Sequence, residues 1–276
     1  MKRTFFSGLC LIIPAYLFAS SGPIRIEGSS TAAPLISRAL KEFKKTTRKG
    51  SFSLQPSDSG TALENLASGN IEAALVSMDI PTDFAARHPG MNFRINLIAR
   101  DAVVPVVSQL IYLRGVKDLS LQDLKDIYSG KTKNWKQFKG PDADIVLISQ
   151  KNSSGTRQVF LRAIFGNTGT EIRPDAILFS GVDEVQSAVA ESTCAIAALP
   201  MGRTSLEARG CGLRTKKGVV LYPTAETIIN QIYPTARNLS LVTIGEPKGD
   251  LKAFLGFFKG PQARDLIREF KFFPIW

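Results

Sequence analysis

The stretch IRIEGSSTAAPLISRALKEFKKTTRKGSFSLQPSDSGTALENLASGNIEAALVS, residues 24–77, decides the fold. Three strand-length segments, IRIE (24–27), FSLQ (52–55) and IEAALVS (71–77), alternate with two segments of helical periodicity. In the first helical segment Leu35, Ile36, Ala39, Leu40 and Phe43 share a face, and Pro34 is tolerated in its opening turn. The second, SDSGTALENLASGN, reads as a capped helix stopped by Gly69. This β-α-β-α-β order predicts an α/β fold with a largely parallel sheet.

The same grammar continues downstream. AVVPVVS (102–108) is strand-like, LSLQDLKDIYSG (119–130) is a helix with a glycine stop, and DIVLIS (144–149) is a strand that leads into SQKNSSGTRQVF (149–160). There follow a helix at 183–192, strands at 195–199, 219–222 and 239–244, and two final helices near 249–259 and 261–270. The tail aromatics Phe254, Phe257, Phe258, Phe270, Phe272 and Phe273 read as packing residues of those helices.

Three Ser/Gly/Thr turns stand out: GSST (28–31), SDSGT (57–61) and SSGT (153–156). Each follows a strand and opens a helix, where backbone N–H groups lack intrahelical partners. Any one of them is an ordinary cap. Three at equivalent places suggest an anion site, because ligands of open α/β sheets bind where helix N-termini converge beyond the strand ends.

The N-terminus sets the compartment. Lys2 and Arg3 precede the apolar run FFSGLCLIIPAYLF (5–18) and the small residues Ala19, Ser20 and Ser21. This is the pattern of a secretory signal peptide over residues 1–21, cleaved after Ser21; the competing reading, a membrane anchor, needs about 20 apolar residues. The remaining 255 or so residues suffice for one large domain or two lobes. They carry 33 basic against 24 acidic residues, a balance suited to anionic ligands or a negatively charged envelope surface, or to a solvated basic face. Cys194 and Cys211 remain in a disulfide-permitting compartment, where a bridge is the expectation and two separate buried thiols the alternative. Neither has the spacing of a metal site, and no cofactor is implied.

At this point the chain resembles a family. GSSTAAPL, SDSGTALENLASGNIEAALVSM, IARDAVVPVVSQ, LSLQDLKDIYSGKTKNW, SSGTRQVFLRAIFG and YPTARNLSLVTIGEPKGDLKAFLGFFKGPQARDLI follow in order the pattern of periplasmic phosphate-binding proteins of ABC importers. The resemblance runs from about residue 24 to the end. It implies a type II periplasmic binding protein fold, α/β with two lobes, two crossover strands and a ligand cleft between the lobes. The lobes would be 22–104 with 235–276, and 105–234. It also implies that Ser30, Thr31, Ser59, Ser154, Gly155 and Thr156 hold phosphate or a similar oxyanion, with Ser77, Gln150 and Arg157 as secondary candidates. The implied partners are the membrane subunits of an ABC importer, the implied place is the periplasm or the outer face of a bacterial envelope, and the implied state is a monomer.

The chain departs from that pattern twice. Phosphate binders of the family commonly carry arginine four residues before the serine matching Ser154, where this chain has Gln150. They commonly carry a polar residue, often Asp, after the serine matching Ser77, where this chain has Met78; Asp79 next to it would face the other way in a regular strand. Arg157 either supplies charge from its helix's first turn or, the favoured expectation, faces solvent. A second reading is therefore an exported interaction or sensor protein whose cleft has been repurposed or lost.

Other chemistry finds little support in the residues. His88, the sole histidine, sits in the turn-like segment ARHPG and reads as a surface residue rather than a base. Without further histidines or a Ser-x-x-Lys pair a nucleophilic hydrolase has no activated nucleophile. SGKTKNW (129–135) mimics the end of a P-loop, but Lys125 stands where its first glycine is required. Export argues against nucleic acid as a partner.

Overall fold

A computed structural model of the chain describes residues 22–47, 50–166 and 170–276. The expected signal peptide at 1–21 lies outside the described residues.

The opening half-lobe runs β1 (Ile24–Ser29), α1 (Ala33–Thr47), β2 (Phe52–Ser57), α2 (Ser59–Ala67), β3 (Ala73–Val76) and α3 (Thr82–Arg87). β1 pairs in parallel with both β2 and β3. Helix α1 buries Leu35, Ile36, Ala39, Leu40 and Phe43, the face its periodicity predicts.

Next comes the 16-residue strand β4 (Phe93–Ser108). It leads into α4 (Gln109–Leu113), β5 (Asp118–Ser120), α5 (Leu121–Tyr128), β6 (Val146–Gln150), α6 (Gly155–Phe165), β7 (Ile177–Phe179), α7 (Val182–Glu191) and β8 (Ala195–Pro200). The segment closes with β9 (Ala208–Gly210), β10 (Gly212–Arg214), β11 (Val220–Leu221) and α8 (Ala225–Ile229). The chain then returns along β12 (Ala236–Ile244) and finishes in α9 (Gly249–Phe257) and α10 (Pro261–Glu269). α5 is held at its start by a reciprocal cap, Asp123 N–H donating to Ser120 Oγ at 3.0 Å and Ser120 N–H to Asp123 Oδ2 at 2.8 Å. It ends at Ser129 and Gly130, so the P-loop-like SGKT is a helix C-terminus.

Among the described residues one sheet runs in the order β2-β1-β3-β12-β4-β8-β6-β7, with β9 also on β4, and β11-β10-β5 forms a small second sheet. The expectation of a largely parallel sheet holds only at its two ends. Its centre is antiparallel, because β4 and β12 carry the chain out and back: β4 pairs with β12 over residues 93–102 and with β8 over 103–107. Those two strands are the crossovers of a two-lobed molecule.

Each lobe has its own core. One gathers α1, α9 and α10 around Phe43, Phe254, Phe258 and Ile267. The other packs Tyr128, Trp135, Phe160, Ile196 and Tyr233. Phe254, Phe258 and Phe272 of the tail are buried, as packing residues should be.

The expected disulfide is absent: Cys194 and Cys211 are both free. Their surroundings give the reason. The Cys211 thiol donates to Val116 O at 3.6 Å within the second core, and burial pushes it up to about 12. Cys194 sits just before β8, its carbonyl taking the Trp135 indole N–H at 2.9 Å and its sulfur 3.5 Å from the Thr193 hydroxyl. Among the described residues no helix is long and apolar enough to cross a membrane.

Candidate functional site

The site is assembled by chain reversals between strands and helices. After β1 the chain turns through Ser29, Ser30 and Thr31, where Ser29 Oγ accepts Ala32 N–H at 3.3 Å and Ser30 N–H donates to Ser57 O at 2.9 Å. Only glycine fits just before this turn: Gly28 has φ +130°, and a Cβ there would lie 2.2 Å from Leu75 O. After β2, Asp58 caps α2, its Oδ1 accepting Thr61 N–H at 2.8 Å and its Oδ2 the Thr61 hydroxyl at 3.0 Å. The capped helix places Ser59 in its first turn, against Ser77 just past the end of β3.

In the second lobe β6 ends at Gln150 and α6 begins at Gly155, with Ser154 Oγ accepting Arg157 N–H at 3.3 Å. The first intrahelical donor is Gln158 N, to Ser154 O. The N–H groups of Gly155 and Thr156 come before it and are free to face a ligand.

These turns meet in one pocket of about 520 Å³. It brings together Ser30, Thr31, Ser59, Ser77, Gln150, Ser154, Gly155 and Thr156, eight of the nine residues the sequence singles out. The lobes are in contact here: a Cβ on Gly155 of α6 would lie 2.8 Å from Ser59 Oγ and 3.0 Å from Ser77 Oγ. Ser59 Oγ accepts Ser77 N–H at 3.1 Å and lies 3.5 Å from Ser77 Oγ, where either hydroxyl can donate, so one O–H of the pair is available to the pocket. Ser154 differs, because its O–H is spent on Gln150 Oε1 at 2.9 Å.

Arg157 is the ninth candidate, and it neither lines the pocket nor faces solvent. It is buried, with Nη1 donating to Ser149 Oγ at 3.1 Å and Gln150 O at 3.2 Å, directly behind the position where an arginine was expected. Burial lowers its pKa below the ordinary arginine value, and a guanidinium still keeps its proton at neutral pH. Met78 is buried in the core beneath α2, and Asp79 is exposed, 3.5 Å from Asn238 Nδ2 and outside the pocket. The carboxylates that do line the pocket are Asp58 and Glu184, neither of which the sequence reading proposed.

The reading also missed a buried ion pair under the site. Arg237 of β12 donates through Nε (3.0 Å) and Nη2 (2.7 Å) to Asp101 Oδ2 of β4. Burial pushes the Asp101 carboxyl up, and the Arg237 charge pulls it back. Arg237 Nη1 bonds Thr156 Oγ1 at 3.0 Å, Ser77 O at 3.3 Å and Ser77 Oγ at 3.4 Å. The available signal was an acidic residue, Asp101, at the head of the apolar run AVVPVVS and a basic one, Arg237, at the head of NLSLVTI.

The family model described as the PBP superfamily domain matches residues 19–262. This chain belongs to the PBP superfamily. Among its PBP relatives, the phosphate-binding protein PstS of Bacillus subtilis (strain 168) is 27% identical over 263 residues, covering 93% of this chain and 82% of the relative. Two solved structures share the fold. One, from Clostridium perfringens and with bound phosphate, superposes with a TM-score of 0.81 at 23% identity, over 92% of this chain and all of that one. The other, an ABC-type phosphate transport receptor from Vibrio cholerae, gives 0.76 at 22% identity, over 91% and 99%. In this PBP-superfamily chain the pocket is lined from both lobes, by Thr31 and Ser59 on one side and by Gly155 and Thr156 on the other.

Proposed function

We propose that this protein captures phosphate between its lobes and hands it to the membrane subunits of an ABC importer, with no chemical step. The observation that carries this reading is the convergence of helix N-termini and their hydroxyls from both lobes on one pocket: Thr31 and Ser59 from one side, Gly155 and Thr156 from the other. Neutral donors fixed in a closed cleft bind a dianion through N–H dipoles and O–H groups without a full counter-charge. The buried Arg157, whose partners Ser149 and Gln150 are neutral, adds positive potential from behind and offsets the loss of direct charge at Gln150.

Ligand favours the closed form because it touches both lobes at once, and hinge bending would take place where β4 and β12 cross. Lobes of 22–104 with 235–276, and of 105–234, would move about those strands. Ser30, Thr31, Ser59, Ser154, Gly155 and Thr156 are the contacts in this reading, with Ser77 and Gln150 at the edge. The chain would be exported by residues 1–21 and work as a monomer at the outer face of a bacterial membrane. A Thr31→Val, Thr156→Val double variant, which keeps both shapes and removes both hydroxyls, tests the reading by calorimetry. Phosphate binding should be lost; affinity equal to that of the parent would refute it.

A further inference from the structure

The buried pair Arg237–Asp101 does more than neutralise itself. Its guanidinium touches three places at once: Asp101 on the other crossover strand, Ser77 after β3 in the first lobe, and Thr156 at the start of α6 in the second. The side chains of the pair are 1% and 0% exposed. A charge held this deep costs folding free energy, and well-packed apolar residues would commonly serve stability as well.

The geometry of the donors gives it a use. A guanidinium has only donors, so Thr156 Oγ1 must be the acceptor of Arg237 Nη1. Among the described residues nothing else in the protein takes the Thr156 O–H. With its oxygen engaged by Arg237, the Thr156 hydroxyl hydrogen is left for the pocket that Thr156 lines. The same Nη1 reaches Ser77 O and Ser77 Oγ within the first lobe, to which Arg237 also belongs, whereas Thr156 belongs to the second, so the three-way arrangement exists only when the two lobes are together.

We propose that Arg237 is a positioning residue of this site: anchored in the first lobe by Asp101 and Ser77, it sets the Thr156 hydroxyl of the second lobe to donate to the bound oxyanion, and does so only when the lobes close. The proposal rests on the phosphate reading above and deepens it. Lysine in its place keeps a charge beside Asp101 but has one nitrogen, which cannot hold Asp101, Ser77 and Thr156 in the fixed fork that arginine provides.

The test is a double-mutant cycle on phosphate affinity, with the parent protein, Arg237→Lys, Thr156→Val and the double variant titrated by calorimetry. Arg237→Lys should weaken phosphate about tenfold or more in the parent background, the scale of a lost charge-assisted bond. In the Thr156→Val background the same change should cost less than about twofold, because the group it acts through is gone. Equal losses in both backgrounds, or no loss in the parent, would overturn the proposal, since a purely structural arginine gives additive effects. Should Arg237→Lys fail to fold, the neutral pair Asp101→Asn, Arg237→Gln replaces it in the cycle with the same criteria. A parent protein that is silent to phosphate refutes the binding reading instead; the four proteins are then compared by urea unfolding, where coupling between positions 237 and 156 supports the positioning role and additive losses overturn it.

Discussion

Gly155→Ala is the substitution that separates closure from folding most cleanly. Position 155 is the first residue of α6 and has an ordinary helical backbone, so alanine is locally acceptable and gains up to about 1 kcal/mol by restricting the unfolded chain. Its Cβ, however, would stand 2.8 Å from Ser59 Oγ, 3.0 Å from Ser77 Oγ and 3.3 Å from Ser59 Cβ, all in the opposite lobe. Carbon–oxygen contacts settle at about 3.3–3.6 Å, so the lobes must part by several tenths of an ångström. Overpacking of this kind costs about 1–3 kcal/mol, and here the cost falls on the closed form alone. Phosphate affinity should therefore drop about 5- to 150-fold, while the ligand-free protein melts at the same temperature or slightly higher. Calorimetric titration paired with thermal melts without phosphate reads both. An affinity within twofold of the parent would refute the reasoning, and so would a fall in affinity matched by an equal fall in ligand-free stability.

Three further outcomes follow from the same geometry. Asp58→Asn keeps the α2 cap but removes a carboxylate acceptor from the pocket lining, so the preference for phosphate, which carries a proton, over sulfate should fall at least about fivefold; parallel titrations with the two anions check it. Alkylation of the native protein at pH 8 followed by peptide mapping should leave Cys211 unmodified and find Cys194 modified, and both should react without reductant once the chain is unfolded. The Arg25 side chain hydrogen-bonded to Glu72 holds that carboxyl below its ordinary range, with Arg25 Nη2 at 2.7 Å from Glu72 Oε1 and Arg25 N–H at 2.6 Å from Glu72 Oε2. A depressed folded pKa gives stability that is present above the unfolded value of about 4.3 and lost as pH falls through the folded one. Melting temperatures should thus fall less between pH 7 and pH 3 in Glu72→Gln than in the parent.

Much of this molecule is readable in the chain because its signals are local. The buried face of α1, the glycine stop of α5 and the three Ser/Gly/Thr turns are each set by residues within a few positions of one another, and the pocket follows once strands and helices alternate. What escaped depends on distance in sequence. Asp101 and Arg237 are 136 positions apart and meet only because β4 and β12 pair as antiparallel crossovers. The first part of β4 hid behind its polar residues, Arg94 and Asn96, which alternate along a half-exposed strand. Arg157 looked like a solvent-facing charge at a helix start; its partners Ser149 and Gln150 lie only seven to eight residues back, but the strand-turn-helix reversal is needed to fold them over it. The two cysteines show the limit of spacing, since their separation suits a small loop while their side chains make other contacts.

The most direct test of phosphate capture is calorimetric titration of the protein, freed of bound ligand by unfolding and refolding, with inorganic phosphate. Saturable one-site binding at micromolar or tighter affinity, about 8 kcal/mol or more, is the expected result, and it would show that hydroxyls, helix N-termini and buried arginines suffice with glutamine at position 150. A correctly refolded protein that gives no heat and no thermal stabilisation at millimolar phosphate would contradict the account.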